Sequence, residues 1–162
     1  MSKRDPFRPV DTEARALARR LIDTATFAAC GVMQDKLPMV TRIALATTPD
    51  GTPLSLMSDL SAHTAALRGH GHCSLLVGEP ADRGDPLTHP RVTLQARARF
   101  LTRDDAAYAD LRAHYLDQRP KATLYIDFGD FNLVTFDVQT ALLNGGFGKA
   151  YKLSATDIAP TA

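Results

Sequence analysis

A guanidinium set in an apolar run is the first feature of this chain that could do chemistry. Residues 41–47 read TRIALAT, and Arg42 stands among side chains that offer it no partner. Burying such a cation is costly unless a fixed anion meets it. Residues 58–69, SDLSAHTAALRG, supply the hydroxyls of Ser58, Ser61 and Thr64, the imidazole of His63 and the backbone N–H groups of a helix start. A fork-shaped cation and a helix N-terminus both favour a dianion, so the two segments together read as a phosphate pocket. The same residues admit a plainer account, in which Arg42 snorkels from an edge strand and Ser61 caps a helix.

Other reactive side chains lie in weaker settings. GHGHC places His70, His72 and Cys73 together before a strand, which suits a soft metal if a further ligand arrives from elsewhere, although the usual Cys and His spacings are missing. His89, in THPR, either assists a ligand with Arg91 or caps a turn. His114, near Asp110 and Tyr115, falls on a helical pattern and is expected at the surface or half-buried. No GxSxG element is present, which disfavours a hydrolase of that kind, and the DFG within residues 127–131 has no Gly-rich or catalytic loop around it. Cys30 and Cys73, the two cysteines, are expected to be reduced core residues.

These groups need elements to position them. Residues 12–24 carry Ala14, Leu17, Ala18, Leu21 and Ile22 at helical spacing, with Asp11 or Thr12 as cap. Runs at 27–33, 39–47 and 54–58 have strand length, and Asp50-Gly51 between the last two is a hairpin signal. Ser61 opens a short helix that ends at Gly69, and a strand follows at 73–77. A connector with three prolines leads into 91–101, RVTLQARARFL, whose period of two marks a long half-buried strand. Residues 103–116 and 121–125 read as helical and 132–136 and 140–143 as strands. Residues 1–11 are expected to be flexible and 152–162 weakly ordered.

The chain of 162 residues suits one domain spanning 1–162, large enough to bury a core without a disulfide or a metal. Lys plus Arg number 19 against 18 Asp plus Glu, and the formal net charge of +1 gives no electrostatic footprint for nucleic acid. No apolar run approaches the roughly 20 residues of a membrane span, and residues 1–11 have no signal-type core behind them, so a cytoplasmic location is expected. Neither GxGxxG nor GxxxxGK[ST] occurs, which removes the main support for the parallel nucleotide folds. Short strands, a hairpin and helices at the edges predict a mainly β protein, a small antiparallel barrel with flanking helices.

In order along the chain, TRIALAT, PDGTPL, SDLSAHT, SLLVGEP, GDPLTHPRVTLQARA, LYIDFGDF and LLNGGFGKAY resemble the pyridoxamine 5'-phosphate oxidase-like FMN-binding split barrels, and within them the haem-utilisation (HugZ-type) branch. The resemblance covers most of residues 27–151. It implies a six-stranded antiparallel split barrel that forms a homodimer, with FMN held between subunits. It further implies that Arg42, His63 and Thr64 face the FMN phosphate and that Ala44, Leu45, Ser58 and Asp59 line the ribityl chain and ring. Arg91 and Gln95 would come from the partner subunit, with Asn144 and Phe147 beside them. An FMN-dependent oxidoreductase of unknown substrate is the first expectation. A haem-binding or haem-degrading protein using the same groove is the alternative, and a flavin store without turnover is a third. The resemblance assigns no catalytic acid or base, no resident metal, no nucleic acid and no membrane partner.

Three departures refine this. The oxidases proper carry serine, arginine and lysine where Ala62, His63 and Thr64 stand, and lysine where Thr47 stands. Their C-terminal arginine and histidine motif is replaced by NGGFGKAY, so oxidation of pyridoxamine phosphate itself is not expected. Haem-degrading relatives are implied to ligate iron through a C-terminal histidine, whereas the last histidine here is His114. A short form without the C-terminal extra domain is the expectation.

Overall fold

The computed structural model describes residues 4–160. Helix α1, Thr12–Thr24, starts where the Asp11 carboxylate accepts from the amide of Ala14 at 2.8 Å, and it buries Ala14, Ala18 and Ile22. Strands β1 (Phe27–Gln34) and β2 (Leu37–Ala44) form a hairpin through Asp35 and Lys36, both at positive φ, 48° and 66°. Two left-handed residues in a two-residue loop match the right-handed twist of the strands. Then come β3 (Ala46–Thr47), β4 (Pro53–Ser58), α2 (Ala62–Gly69), β5 (His72–Val77), β6 (Arg91–Phe100) and α3 (Tyr108–Gln118). The chain ends its regular structure with β7 (Phe131–Asn144), β8 (Ala150–Ser154) and α4 (Ala155–Ile158). Single 3-10 turns lie at Pro86–Thr88 and Pro120–Leu124.

All strand pairs are antiparallel, in the order β2-β1-β5-β6-β7-β4-β3, with β8 on β7. β7 is the spine: it pairs with β6 along most of its length, with β4 over its first five residues and with β8 over its last five. The sheet curls so that β2 returns beside β4, where Ser55 Oγ donates to the Ala44 carbonyl at 2.6 Å. Alternation sends Ala28, Cys30 and Val32 into the half-barrel and Phe27, Ala29, Gly31 and Met33 to its outer face. The inner core also takes Leu75, Leu94, Val134 and Phe136, with α1 and α2 packed on it. A second core forms where Tyr108 and Tyr115 of α3, with Ala122 and Ile126, cover Leu54, Leu56 and Leu133. Cys30 and Cys73 are both free; the Cys30 thiol is pushed well up by its hydrogen bond to Cys73 and by burial.

The mainly β, antiparallel fold with flanking helices agrees with the sequence reading, and several boundaries differ. Among the described residues eight strands stand where six were expected. The run 39–47 is divided at Leu45, whose buried side chain and doubly bonded backbone turn the chain out of β2 into β3. Segments 132–136 and 140–143 are one strand, because Gln139 is taken up as a bulge opposite the Gln95/Ala96 step. Helix α3 begins at Tyr108 rather than 103, and 121–125 lies mostly in a 3-10 turn. Ser61 occupies the cap position of α2 without a side-chain cap bond, its carbonyl taking the amides of Thr64 and Ala65 instead. Past Tyr151, where weak order was expected, β8 continues and Ser154 and Asp157 close a capping box over α4. Residues 1–3 and 161–162 of the two expected loose ends lie outside the described residues. Among the described residues no helix is long and apolar enough to cross a membrane.

Candidate functional site

β2 is an edge strand, and Arg42 projects from its outer face. The side chain is exposed, its guanidinium carbon lies 5.2 Å from the centre of the Phe27 ring, and it enters none of the ion pairs among the described residues. The apolar burial expected for Arg42 is therefore not met within one chain: parity along the strand sends it outward, where it keeps its water. Thr41, its neighbour, faces inward, and its Oγ1 lies 3.0 Å from His63 Nδ1. Partial burial lowers the His63 pKa and so favours the neutral imidazole over a second cation.

The residues around His63 brace one another. Thr64 is buried and donates its hydroxyl to the Ser58 carbonyl at 2.6 Å, tying the start of α2 to the end of β4. Ser58 Oγ donates to Asp130 Oδ2 at 2.6 Å and accepts from the amide of Leu60. Asp59 Oδ1 accepts from Asn132 Nδ2 at 2.9 Å and from Arg68 Nη2 at 3.2 Å. The Ala44 carbonyl is taken by Ser55, and the Leu45 amide donates to the Thr26 carbonyl while its own carbonyl accepts from Arg119. Because Ala44 turns its carbonyl away from β1, ladder alternation turns the backbone of Arg42 to the open edge as well. Arg42 and that edge remain open to a ligand; Leu45 and Thr64 are committed internally.

Arg91, Gln95, Asn144 and Phe147 form a separate group on β6, β7 and the loop beyond. Arg91 faces Asn144 across the ladder and donates from Nη1 to the Leu87 carbonyl at 3.0 Å. Gln95 Oε1 accepts from Thr140 Oγ1 at 3.2 Å, Asn144 Oδ1 accepts from the amide of Gly146 at 3.1 Å, and Phe147 is 94% exposed. Strands β1 and β5 separate this group from Arg42, three strand spacings or about 14 Å. One chain does not bring the two groups together. His89 takes the bland of its two readings: Nδ1 accepts from the amide of Ala81 at 3.2 Å and Nε2 lies 2.8 Å from the Arg83 carbonyl, which staples the loop.

A further site lies between the two groups, on the outer face of β1, β2 and β5 beside the C-terminal end of α2. Gly31, Met33, Val40, His70, His72 and Gln95 are among the residues lining a groove of about 470 Å³. Met33 and His70 also line an adjoining hollow of about 680 Å³ that reaches Lys36 and Ala65. The rings of His70 and His72 stand 5.3 Å apart, and His72 Nε2 is 3.5 Å from Arg97 Nη1. The sequence signal was GHGHC, considered for a soft metal although the usual spacings are missing. Among the described residues no group of three or more His, Cys, Asp or Glu side chains is placed to hold an ion. What the spacing of two encodes is two imidazoles beside an apolar strand face.

No protein-family model matches the chain. A chloroplastic non-canonical heme oxygenase of Arabidopsis thaliana, HOZ, is 32% identical over 135 residues, which are 77% of this chain and 40% of that protein. The chain thus spans well under half the length of this curated relative. Among solved structures, a heme-binding protein from Mycobacterium smegmatis superposes with a TM-score of 0.81 at 25% identity, covering 93% of this chain and 61% of the other. A Clostridium acetobutylicum protein related to general stress protein 26, of the pyridoxinephosphate oxidase family, superposes with a TM-score of 0.70 at 13% identity over 92% of this chain and 99% of its own. A half-barrel of antiparallel strands, the ordered run of motifs from 27 to 151 and these likenesses agree: the chain belongs to the pyridoxamine 5'-phosphate oxidase-like split-barrel family, in its haem-utilisation branch.

Proposed function

We propose that the chain binds haem on the outer face of its sheet, at a seam between two copies, and acts as a haem-handling protein. One observation carries this reading: the outer face of β1, β2 and β5 holds a largely apolar groove edged by two imidazoles. The donor set fits the group, since haem asks for an apolar bed, an axial nitrogen and cations for its carboxylates, and Val40, His70 and Arg97 are of those kinds. The groove volume falls in the ordinary range for small-molecule sites. The names of the Arabidopsis and mycobacterial relatives support the same choice. Haem, when bound, supplies a redox-active iron; the chain supplies the bed that excludes water and the groups that orient the macrocycle.

The seam follows from what the face exposes. Val40 is 70% exposed, Leu76 43%, Met33 42% and Leu142 39%. Ladder register places Ala29, Leu76, Thr93 and Leu142 in one row across four strands. Exposed apolar side chains interspersed with polar ones on one sheet face suit an interaction surface, and a two-fold copy of the same face is a self-complementary way to cover it. In such a homodimer the Arg42 edge of one copy and Arg91 and Gln95 of the other would be able to meet one ligand.

FMN is the second reading, favoured by Arg42, a cation on an open strand edge with no carboxylate partner. In that case the chain is an FMN-dependent oxidoreductase with the phosphate on Arg42 and the ring along the β2 edge. Titration with haemin separates the two. A Soret band distinct from free haemin that saturates at one equivalent per chain is expected; a spectrum identical to free haemin, with tight binding of FMN instead, overturns the haem reading.

A further inference from the structure

We infer that His70 is the iron ligand of this chain and that Arg97, beside His72, meets a haem carboxylate. The inference rests on the haem reading above. It answers a question raised by the sequence, which has five histidines and none after His114. The structure sorts the five. His89 spends both ring nitrogens on the loop it staples. His63 faces inward against Thr41. His114 lies half-buried on α3, whose tyrosines pack on the second core, away from the groove. His72 turns Nε2 toward the Arg97 guanidinium, a poor approach for a metal cation.

His70 remains. Its backbone is held by the amide donating to the Ala66 carbonyl at 2.8 Å, which closes α2. Its exposed ring lines both the groove and the adjoining hollow, and makes no hydrogen bond among the described residues. The His72 ring, tilted by 31° at 5.3 Å, stands beside it and limits its swing. A fixed backbone with an unengaged imidazole over an apolar bed is the arrangement an axial ligand requires. Arg97, 3.5 Å from His72 Nε2, puts a cation beside the imidazole pair, within reach of the carboxylate edge of a macrocycle seated over His70.

The test is haemin titration of the full chain and of His70→Ala, with His114→Ala as control and circular dichroism to verify folding. The ferric spectrum and electron paramagnetic resonance of the wild type should report a nitrogen ligand. In His70→Ala that signature should disappear and affinity fall by roughly tenfold or more, with free imidazole restoring the band. Arg97→Gln should weaken binding while leaving the band position unchanged. An unchanged signature in His70→Ala, or its loss in His72→Ala with His70→Ala intact, overturns the assignment while the haem reading stands. A wild type that binds no haemin overturns both.

Discussion

Arg42 and His63 both came out of the sequence as phosphate groups, and the structure separates them. Arg42 was legible as a cation out of place, but residue type does not say which face of a strand a side chain takes; the exposed guanidinium over Phe27 rests on the parity of β2. If FMN binds at that edge, Arg42→Ala should weaken it by about 1.5–3 kcal/mol, read by flavin fluorescence titration. Stability should change by no more than about 0.5 kcal/mol, since the side chain is exposed. His63 acts on folding. Its native pKa lies below its ordinary value of 6.5 because the ring is buried, so the unfolded chain binds a proton that the native chain refuses. Stability should therefore fall as pH drops from 6.5 through the lower native value, and His63→Gln should flatten that slope in urea melts measured between pH 7 and 5. His70 was visible in the sequence as part of GHGHC, but those residue types do not disclose the groove they overlook.

Elements whose pattern is local were legible: α1 matches its expected bounds, and β6 shows its alternation in full. Elements set by distant partners were not. The break at Leu45 depends on Arg119, which lies 74 positions away and donates from Nε to the Leu45 carbonyl at 2.8 Å and from Nη2 to the Ala25 carbonyl at 2.9 Å. This guanidinium has no carboxylate among its hydrogen-bond partners, and its carbonyl bonds clamp α3 to the β2–β3 corner. Arg119→Met should leave those carbonyls short of donors and cost about 2–3 kcal/mol in chemical denaturation. A stability equal to wild type would show that the corner holds itself. The fusion of two expected strands into β7 has the same origin, because the bulge at Gln139 appears only when β6 is laid beside it.

At the scale of the whole molecule, the architecture was legible from short strands and turn signals, whereas the closure of β2 on β4 and the second core under α3 arise from contacts that no local window contains. The proposed seam is the least local feature of all. It is inferred from what the sheet leaves uncovered, and it would join two groups of candidate residues that stand about 14 Å apart in one chain. Sedimentation velocity on the chain mixed with one equivalent of haemin, followed at the Soret band, tests this account most directly. Haem absorbance is predicted to travel with a species of twice the chain mass. Absorbance that travels with a single chain, or stays behind as free haem, would contradict it.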